Sequence, residues 1–494
     1  MLISASCIGN FAGTKTVEWG AAIRAPLCYD LCMKISTLLS ASILFLNTST
    51  TALAEDMKPA APRIHSEAME FRGLPGKLNT VPMFNSNSPE VVQSEGILLS
   101  TFPAREMKFP AAHLHQALKG NFNIFFHHIS NGLLTKSTRT IYIGIIAHNP
   151  NNVSAILRID RAAAYLSQPD APFKTLPASS DNSQGDVYAG PGDRVMSDFL
   201  HEKTNDPIWP ESIIIPPHQT RVIAALPIPI KALTPPLNGL SGLISANSSQ
   251  SIYLASLALY GKNDGEVDVV PELADWEKAL HNDDLVRPRE KPPTQPGTKN
   301  SIVYGRVAGI SNGTVWDGLI TDGPDEKYLS VKPGTKISYP ISSIEQGTFG
   351  TGQIQSAAMV KRYADTAHQS HGNYGVHYVL QIPLHNTNEI ETVVTIHLQT
   401  PLKSDERKNE LLFYETPPTR VFFRGTVRAR YKDDSDQACD KFIHLVENRG
   451  ERTGPLVQLL LKGGERRKVT LDLFYPPDAT PPQVLTIKAF PLVQ

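Results

Sequence analysis

Apolar and polar residues alternate with a period of two over two long segments of the chain, residues 141–159 and 378–398. In both segments a turn rich in asparagine interrupts the alternation. His148 and Asn149 of the first turn align with His385 and Asn386 of the second. Such alternation is typical of strands with one buried face, and a polar turn between two runs joins strands. Each segment is therefore predicted to form a β-hairpin or two strands that cross between the sheets of a sandwich.

A second pattern also occurs twice. Around Ile215 and Leu461 the chain has an apolar triplet, a short turn, basic residues, an apolar run and then proline. The two patterns follow one another in the same order and at nearly the same separation, which indicates an internal duplication. The predicted fold is all-β, with two related β-sandwich domains over residues 71–264 and 301–494. Immunoglobulin-like and jelly-roll-like sandwiches both fit.

The segment between these domains, residues 265–300, has a different pattern. Pro271 stands at the expected first helical position, and Leu273, Trp276 and Leu280 follow at helical spacing. A charged, proline-rich stretch comes next, and such sequences are typical of extended linkers. We therefore predict a short helix and a proline-rich linker between the two domains.

The N-terminal region has the features of a secretory signal peptide at residues 33–54. Lys34 supplies a positive charge, a short apolar run follows, and small residues form a cleavage site that ends at Ala54. Residues 1–32 are interpreted as an upstream extension that results from the choice of start site; a long n-region with its own role is the alternative. Residues 55–70 are predicted to be a flexible tail. The expected location is the periplasm or the cell surface.

The composition of the chain limits which classes of partner are expected. Removal of residues 1–54 would leave Cys439 as the single cysteine, so the mature chain could form no disulfide within itself. The formal net charge is −1, and the sequence has no basic stripe, which argues against a nucleic-acid partner. No further apolar run is long enough to form a transmembrane segment in the mature chain. An envelope glycan or protein is the expected partner, and no cofactor is expected.

Binding residues are expected on loops, because a rigid β scaffold commonly carries its binding side chains there. Residues 185–200 show no alternation and are predicted to be rich in loops. An aromatic ring in a loop stacks on a sugar or holds a peptide, or else covers the end of a sandwich. The candidate binding residues are Tyr188, Asp193, Arg194 and Trp316.

A metal site is the second candidate. Imidazole and carboxylate groups suit zinc or copper, and a loop could bring together side chains that are close in sequence. The spacing matches no established site, and His377 is also interpreted as a solvent-facing strand residue. The candidate ligands are Asp365, His368, His371 and His377.

No catalytic residue is predicted. The sequence has no Gly-x-Ser-x-Gly motif or related nucleophile context. The glycine-rich residues 347–353 are not followed by the Lys-Ser/Thr pair of a phosphate-binding loop and are interpreted as a connection between strands.

Several motifs together carry a family resemblance. They include VPMFNSNSPEVVQSEGILLSTFP, YLSQPDAPF, VYAGPGDRVMSD, GTGQIQSA, HGNYGVHY and YPPDATPPQVLT. From about residue 71 to the end, the chain resembles a cyanobacterial secreted-protein family known as domain of unknown function 3370. The resemblance implies an exported protein in a cyanobacterium-like cell, and it brings no activity, cofactor or site residue.

Three functions remain open from the sequence. The favoured one is an exported, non-enzymatic binding or structural protein of the cell envelope. The second is a hydrolase or lyase that acts on envelope polysaccharide or peptidoglycan. The third is a periplasmic assembly factor or chaperone whose exposed strand edges pair with client proteins.

Overall fold

The computed structural model describes residues 62–204, 209–264, 267–298, 301–405 and 409–492, and its regular elements are almost all β-strands. The prediction of an all-β fold is confirmed. The signal peptide at 33–54 and the extension at 1–32 lie outside the described residues. Helices α1 (Gly132–Thr135), α2 (Pro191–Leu200), α3 (Leu273–Asn282) and a short 3-10 helix (Pro110–Ala112) interrupt the strands. Within the described ranges, no helix has the length and apolarity to traverse a membrane.

The first half of the chain, residues 62–298, contains β1 to β15. In chain order these are β1 (Ile64–Ala68), β2 (Glu70–Phe71), β3 (Lys77–Leu78), β4 (Pro82–Ser86), β5 (Val91–Val92), β6 (Gly96–Ser100), β7 (Leu118–Asn131), β8 (Ile141–His148), β9 (Ala155–Leu166), β10 (Ser179–Asp181), β11 (Ser212–Ile215), β12 (Thr220–Ile228), β13 (Leu237–Tyr260), β14 (Lys262–Asp264) and β15 (Val267–Val269).

The second half, residues 301–492, contains β16 to β29. These are β16 (Ala308–Asn312), β17 (Val315–Leu319), β18 (Leu329–Val331), β19 (Lys336–Ile341), β20 (Ala357–Arg362), β21 (Gln369–Ser370), β22 (His377–Asn386), β23 (Thr392–Gln399), β24 (Glu410–Tyr414), β25 (Val421–Lys432), β26 (Ala438–Asn448), β27 (Val457–Leu461), β28 (Arg466–Phe474) and β29 (Gln483–Pro491).

Strand β13 organises the first half because it belongs to two layers. Its first part pairs antiparallel with β7 and β9, and its second part pairs antiparallel with β8 and β6. Strand β12 extends the β8 layer and β11 extends the β9 layer. The two layers enclose a shared apolar core that includes Phe84, Ile124, Phe126, Ile143 and Leu254.

Two sheets form the second half. The larger has the order β10-β26-β25-β28-β22-β17-β3, and the smaller has the order β2-β19-β29-β23-β27. Alternate residues of both sheets point into one apolar core, as the period of two requires. That core includes Ile382, Ile396, Leu471 and Ile487.

The two halves exchange strands. From the first half, β3 pairs with β17, β2 with β19, β1 with β24 and β10 with β26. From the second half, β16 pairs with β4, and β20 continues that sheet. Strands from both sides of the predicted boundary at residue 301 therefore share sheets, and part of the segment predicted to be a flexible tail is strand β1.

The helix predicted between the halves is α3, and it packs on the first half. Glu272 caps its N-terminus in a capping box with Asp275. The buried Trp276 lies flat on β8, where Gly144 leaves it room: a Cβ there would come within 2.7 Å of the indole. The proline-rich stretch that follows is also packed, since Val286 is fully buried and Arg289 pairs with Asp365. The stretch is therefore held to the protein at these points, whereas residues 287–288, 291–292 and 295–298 are exposed.

The two asparagine turns have the same hydrogen bonds. Asn149 and Asn386 are both fully buried, and each side-chain amide nitrogen reaches three backbone carbonyl oxygens. The carbonyls belong to Val153, Ile215 and Pro216 (2.8, 2.9 and 3.2 Å) in the first half and to Ile390, Leu461 and Lys462 (2.8, 3.1 and 3.0 Å) in the second. Each amide oxygen accepts from the backbone N–H two residues later. The asparagines, rather than the neighbouring histidines, therefore fasten these turns.

Asn386→Ala is expected to lower the free energy of unfolding by about 1–3 kcal/mol, because it leaves buried backbone carbonyls without donors. Chemical denaturation measures the change. His385→Ala is the matched control: His385 makes a ring contact with Tyr328 (5.7 Å), and its loss is expected to cost less than about 1 kcal/mol. A larger loss in His385→Ala than in Asn386→Ala would contradict this assignment.

Candidate functional site

Three of the four candidate binding residues meet at α2, which replaces the predicted loop. Pro191 starts this helix after Gly190, whose φ of 103° suits glycine. The guanidinium of Arg194 lies over the rings of Tyr165 (3.8 Å) and Tyr188 (4.7 Å), and it donates to the carbonyl of Asp170. Arg194 and Tyr188 are thus packed against the body of the protein rather than extended into solvent.

Asp193, on the same helix, connects the two halves. Its carboxylate Oδ2 lies 2.8 Å from Nε2 of His444 on β26 and accepts from the backbone N–H of Ala189 at 2.9 Å. Its backbone N–H donates to the carboxylate of Asp478 at 3.0 Å. Asp193 and His444 are completely shielded from solvent. Asp193 is therefore placed to hold the halves together.

Trp316 lies apart from this group, on β17 rather than on a loop. It is 5 % exposed, its indole N–H donates to the carbonyl of Pro75 at 3.0 Å, and its ring stacks near Tyr378. Its position supports packing of the second core. Such a buried ring has no open face on which a ligand could stack.

The four candidate metal ligands each have a different partner. Asp365 pairs bidentately with Arg289 (2.7 and 3.1 Å), and His377 stacks on Phe474. His368 contacts Arg362 at 2.8 Å, and His371 lies 2.5 Å from the carbonyl of Gly305. Burial lowers the pKa of His371 to about 4. Across the described ranges, no group of three or more His, Cys, Asp or Glu residues is arranged to hold a metal ion.

His368 and His371 do share one environment, a cleft of about 580 Å³ beside residues 293–298. Glu345 and Asp405 also line it. Asp405, however, already accepts hydrogen bonds from the backbone of residues 347 and 348, so its carboxylate holds the glycine-rich loop. The arrangement accounts for the order of that loop and does not bring the histidines together as ligands.

A second cleft, of about 660 Å³, is lined almost wholly by polar side chains. We call it the strand cleft: the space between β1 and the outward face of the small sheet of β19, β29 and β23. The side chains that give it its chemistry are Glu67, Lys336, Gln399, Arg452, Thr453 and Lys488.

Strand register explains the cations of the strand cleft. Lys336 is directly opposite Lys488, and Lys488 is directly opposite Thr395, so all three point to the same face. The ammonium of Lys488 lies 2.8 Å from Glu67, and that of Lys336 lies 3.7 Å from the same carboxylate. Like charges opposite one another on a sheet repel. Glu67 of β1 therefore offsets this repulsion, and it neutralises only one of the two charges.

Gln399 occupies the other end of the same face. It is 2 % exposed, and within the part of the chain that the structure describes its side-chain Oε1 has no hydrogen-bond donor. His397, two residues earlier, points the same way; burial, and then the charge of Lys488, lower its pKa to about 4. An amide oxygen that is buried without a donor costs free energy, and such groups are uncommon in folded proteins.

Glu447 lies directly behind the cleft. It is fully buried and accepts hydrogen bonds from the hydroxyls of Thr400 (2.7 Å) and Thr453 (3.3 Å). Burial raises its pKa to about 8, so the carboxyl is mostly protonated at neutral pH. Thr453 thus links the lining of the strand cleft to a neutral buried acid.

Sequence reasoning missed the strand cleft. In residues 392–399 the polar positions Thr395, His397 and Gln399 alternate with apolar ones, which is the pattern of an ordinary solvent-facing strand surface. The unusual feature is that β1 and residues 451–456 cover this face, and both come from distant parts of the chain. A run of three polar residues that includes a histidine was the only available signal.

Comparison with known proteins gives a family and no activity. A family model described as "Protein of unknown function (DUF3370)" matches residues 69–489, which confirms the family inferred from the motifs. No curated protein matches the chain. One similar solved structure is that of the Macrobrachium rosenbergii nodavirus, at 10 % identity over 93 % of this chain and 98 % of that one. Its TM-score of 0.13 is too low to carry an argument.

Proposed function

We propose that this chain, which belongs to the DUF3370 family of proteins of unknown function, is an exported, non-enzymatic binding protein of the cell envelope. The observation that carries the proposal is the strand cleft, a polar recess with an excess of cations and a buried acceptor that lacks a donor. Clefts of roughly 300–1,000 Å³ with a few convergent polar groups are where proteins bind small ligands. The signal-peptide pattern at residues 33–54 supports export.

The repeated asparagine turns support an origin by internal duplication. The order β8, β9, β11, β12 recurs as β22, β23, β27, β28, and β8 pairs with β12 as β22 pairs with β28. Buried hydrogen bonds at matching positions are improbable in unrelated domains. In this view, two related sandwiches form the scaffold, and the strand cleft lies on the small sheet of the second copy.

Binding is tested by co-sedimentation of the purified protein with isolated peptidoglycan, lipopolysaccharide and extracellular polysaccharide. We expect saturable binding to at least one of these polymers. Gly454 lines the cleft, and a Cβ there would meet no atom within 4 Å. Gly454→Trp is therefore expected to fill the cleft without disturbing the fold and to weaken binding by about tenfold or more, a loss of at least ~1.4 kcal/mol.

Gly323→Trp is the matched control, because its Cβ would make only an ordinary contact, 3.9 Å from Cγ of Glu326, at a site outside the strand cleft. Its binding should equal that of the unchanged protein. Absence of saturable binding to every polymer would contradict the proposed function. Equal binding by both tryptophan variants and the unchanged protein would show that the strand cleft is not the binding site.

A further inference from the structure

Building on the proposed function, we propose that the strand cleft binds an acidic sugar. An acid group lies at the end formed by Lys336 and Lys488, and a sugar hydroxyl donates a hydrogen bond to Oε1 of Gln399 at the other end, where the bridge between Thr400 and Glu451 also places Arg452. This assignment names the chemical class of the ligand, which the general envelope-binding role leaves open.

The net positive charge of the strand cleft favours an anionic ligand. Three cationic side chains and a single carboxylate, Glu67, line it, which leaves an excess of two positive charges. The exposed Arg452 has no ion pair among the described residues, and Lys336 is the farther of the two partners of Glu67. Unneutralised charges that converge on a recess attract a ligand of opposite sign. One acid group beside Lys336 and Lys488 and a second beside Arg452 would supply the two missing negative charges.

The Oε1 of Gln399, which has no hydrogen-bond donor within the described ranges, is suited to a ligand that carries a hydroxyl group. Gln399 lies in register with Val484 of β29, whereas Lys488 is four residues farther along the same strand. At about 3.4 Å per residue, the Cα atoms of Gln399 and of the residue opposite Lys488, Thr395, are on the order of 13 Å apart along the strand. A small inorganic anion could not contact both Gln399 and Lys488. A ligand with an acid group at one end and hydroxyls along its length, such as a short acidic oligosaccharide, spans the distance.

The lining also selects against apolar ligands. The side chains that line the cleft are polar except for Ala68. A lipid chain would find almost no apolar surface to bury there, whereas sugar hydroxyls would find both charged groups and backbone. The cleft therefore fits a hydroxyl-rich ligand in preference to an acyl chain.

The test is isothermal titration of the protein purified from cells that express the full chain. The probes are a galacturonate trisaccharide, the neutral galactose trisaccharide of the same linkage, and inorganic sulfate. We expect the galacturonate to bind at least about tenfold more tightly than either other probe. Its affinity should also fall as salt concentration rises, since the cations lie in an open cleft.

Two variants separate the contributions. Arg452→Gln should weaken galacturonate binding by about fivefold and leave any neutral-sugar binding unchanged; Arg105→Gln, at an exposed arginine far from the cleft, is the control. Gln399→Leu removes the buried Oε1, which has no donor among the described residues, so we expect the melting temperature to rise. The same change removes the acceptor for the sugar hydroxyl, so we expect weaker galacturonate binding.

Each other outcome identifies which proposal fails. Equal binding of the neutral and acidic trisaccharides would overturn the assignment of an acidic ligand and leave the envelope-binding function intact. Sulfate that binds as tightly as galacturonate would overturn the role of the hydroxyl. Co-sedimentation with an envelope polymer together with no binding of galacturonate would overturn this inference alone, whereas failure of both experiments would overturn the proposed function as well.

Discussion

Asp193→Ala is expected to lower the free energy of unfolding by about 3–5 kcal/mol, the usual cost of removing one partner from a buried pair. The substitution leaves the imidazole of His444, which is completely buried, without its carboxylate. It also leaves the backbone N–H of Ala189 without an acceptor. Since Asp193 belongs to the first half and His444 to the second, the loss weakens the contact between the halves as well as the helix that carries it.

Denaturation with urea, followed by tryptophan fluorescence and by circular dichroism, measures the loss. Asp186→Ala is the control, because Asp186 is exposed in the same region and its removal should change stability by less than about 0.5 kcal/mol. The assignment of Asp193 as a connection between halves would be wrong if the two variants unfolded at the same urea concentration.

Glu447→Gln is expected to make the protein more stable at high pH by on the order of 4 kcal/mol and to change it little at low pH. Burial raises the pKa of Glu447 from 4.5 to about 8. Below pH 4.5 the carboxyl is protonated in both folded and unfolded chains. Between these values the unfolded chain loses the proton and the folded chain keeps it, so each rise in pH favours unfolding. The contribution of the protonated carboxyl of Glu447 to the free energy of unfolding is therefore lost as the pH rises through the folded pKa of about 8.

Glutamine remains neutral and can still pair with the hydroxyls of Thr400 and Thr453. The measurement is the difference in unfolding free energy between variant and unchanged protein at pH 5, 7 and 9. That difference should grow steadily with pH. Glu391→Gln, at an exposed glutamate on the same half, should show no such growth. A difference for Glu447→Gln that is constant from pH 5 to 9 would mean that the folded carboxyl is already ionised at pH 5.

Local patterns in the sequence predicted much of the β architecture. The alternation around Asn149 and Asn386 identified strands β8, β9, β22 and β23, because a buried face imposes a period of two on each strand by itself. The helical spacing of Leu273, Trp276 and Leu280 identified α3 for the same reason, whereas Pro271, predicted to be the first helical residue, precedes the N-cap Glu272. Residues 191–200 form a helix rather than the predicted loop: a helical segment shows no period-two alternation, and proline is suited to the first turn of a helix.

Pairing between distant segments could not be predicted in this way. Nothing in residues 64–68 indicates that they pair with β24, and nothing near Gln399 indicates that residues 451–456 cover it. The predicted binding and metal-ligating residues are aromatic, histidine and charged side chains in segments without a clear strand pattern, because such side chains commonly form sites. The structure gives those residues ordinary partners, and it brings together a lysine pair, an arginine and a glutamine that no local motif connects.

The exchange of strands between the halves has a consequence for the order in which the protein is made. Synthesis proceeds from the N-terminus, so β4 has no neighbour on one side until β16 has been added, and β1 has none until β24 has been added. Strand edges left open in this way are places where a nascent chain sticks to others. The sheets that contain β1 and β4 can therefore be completed only after strands of the second half have been made.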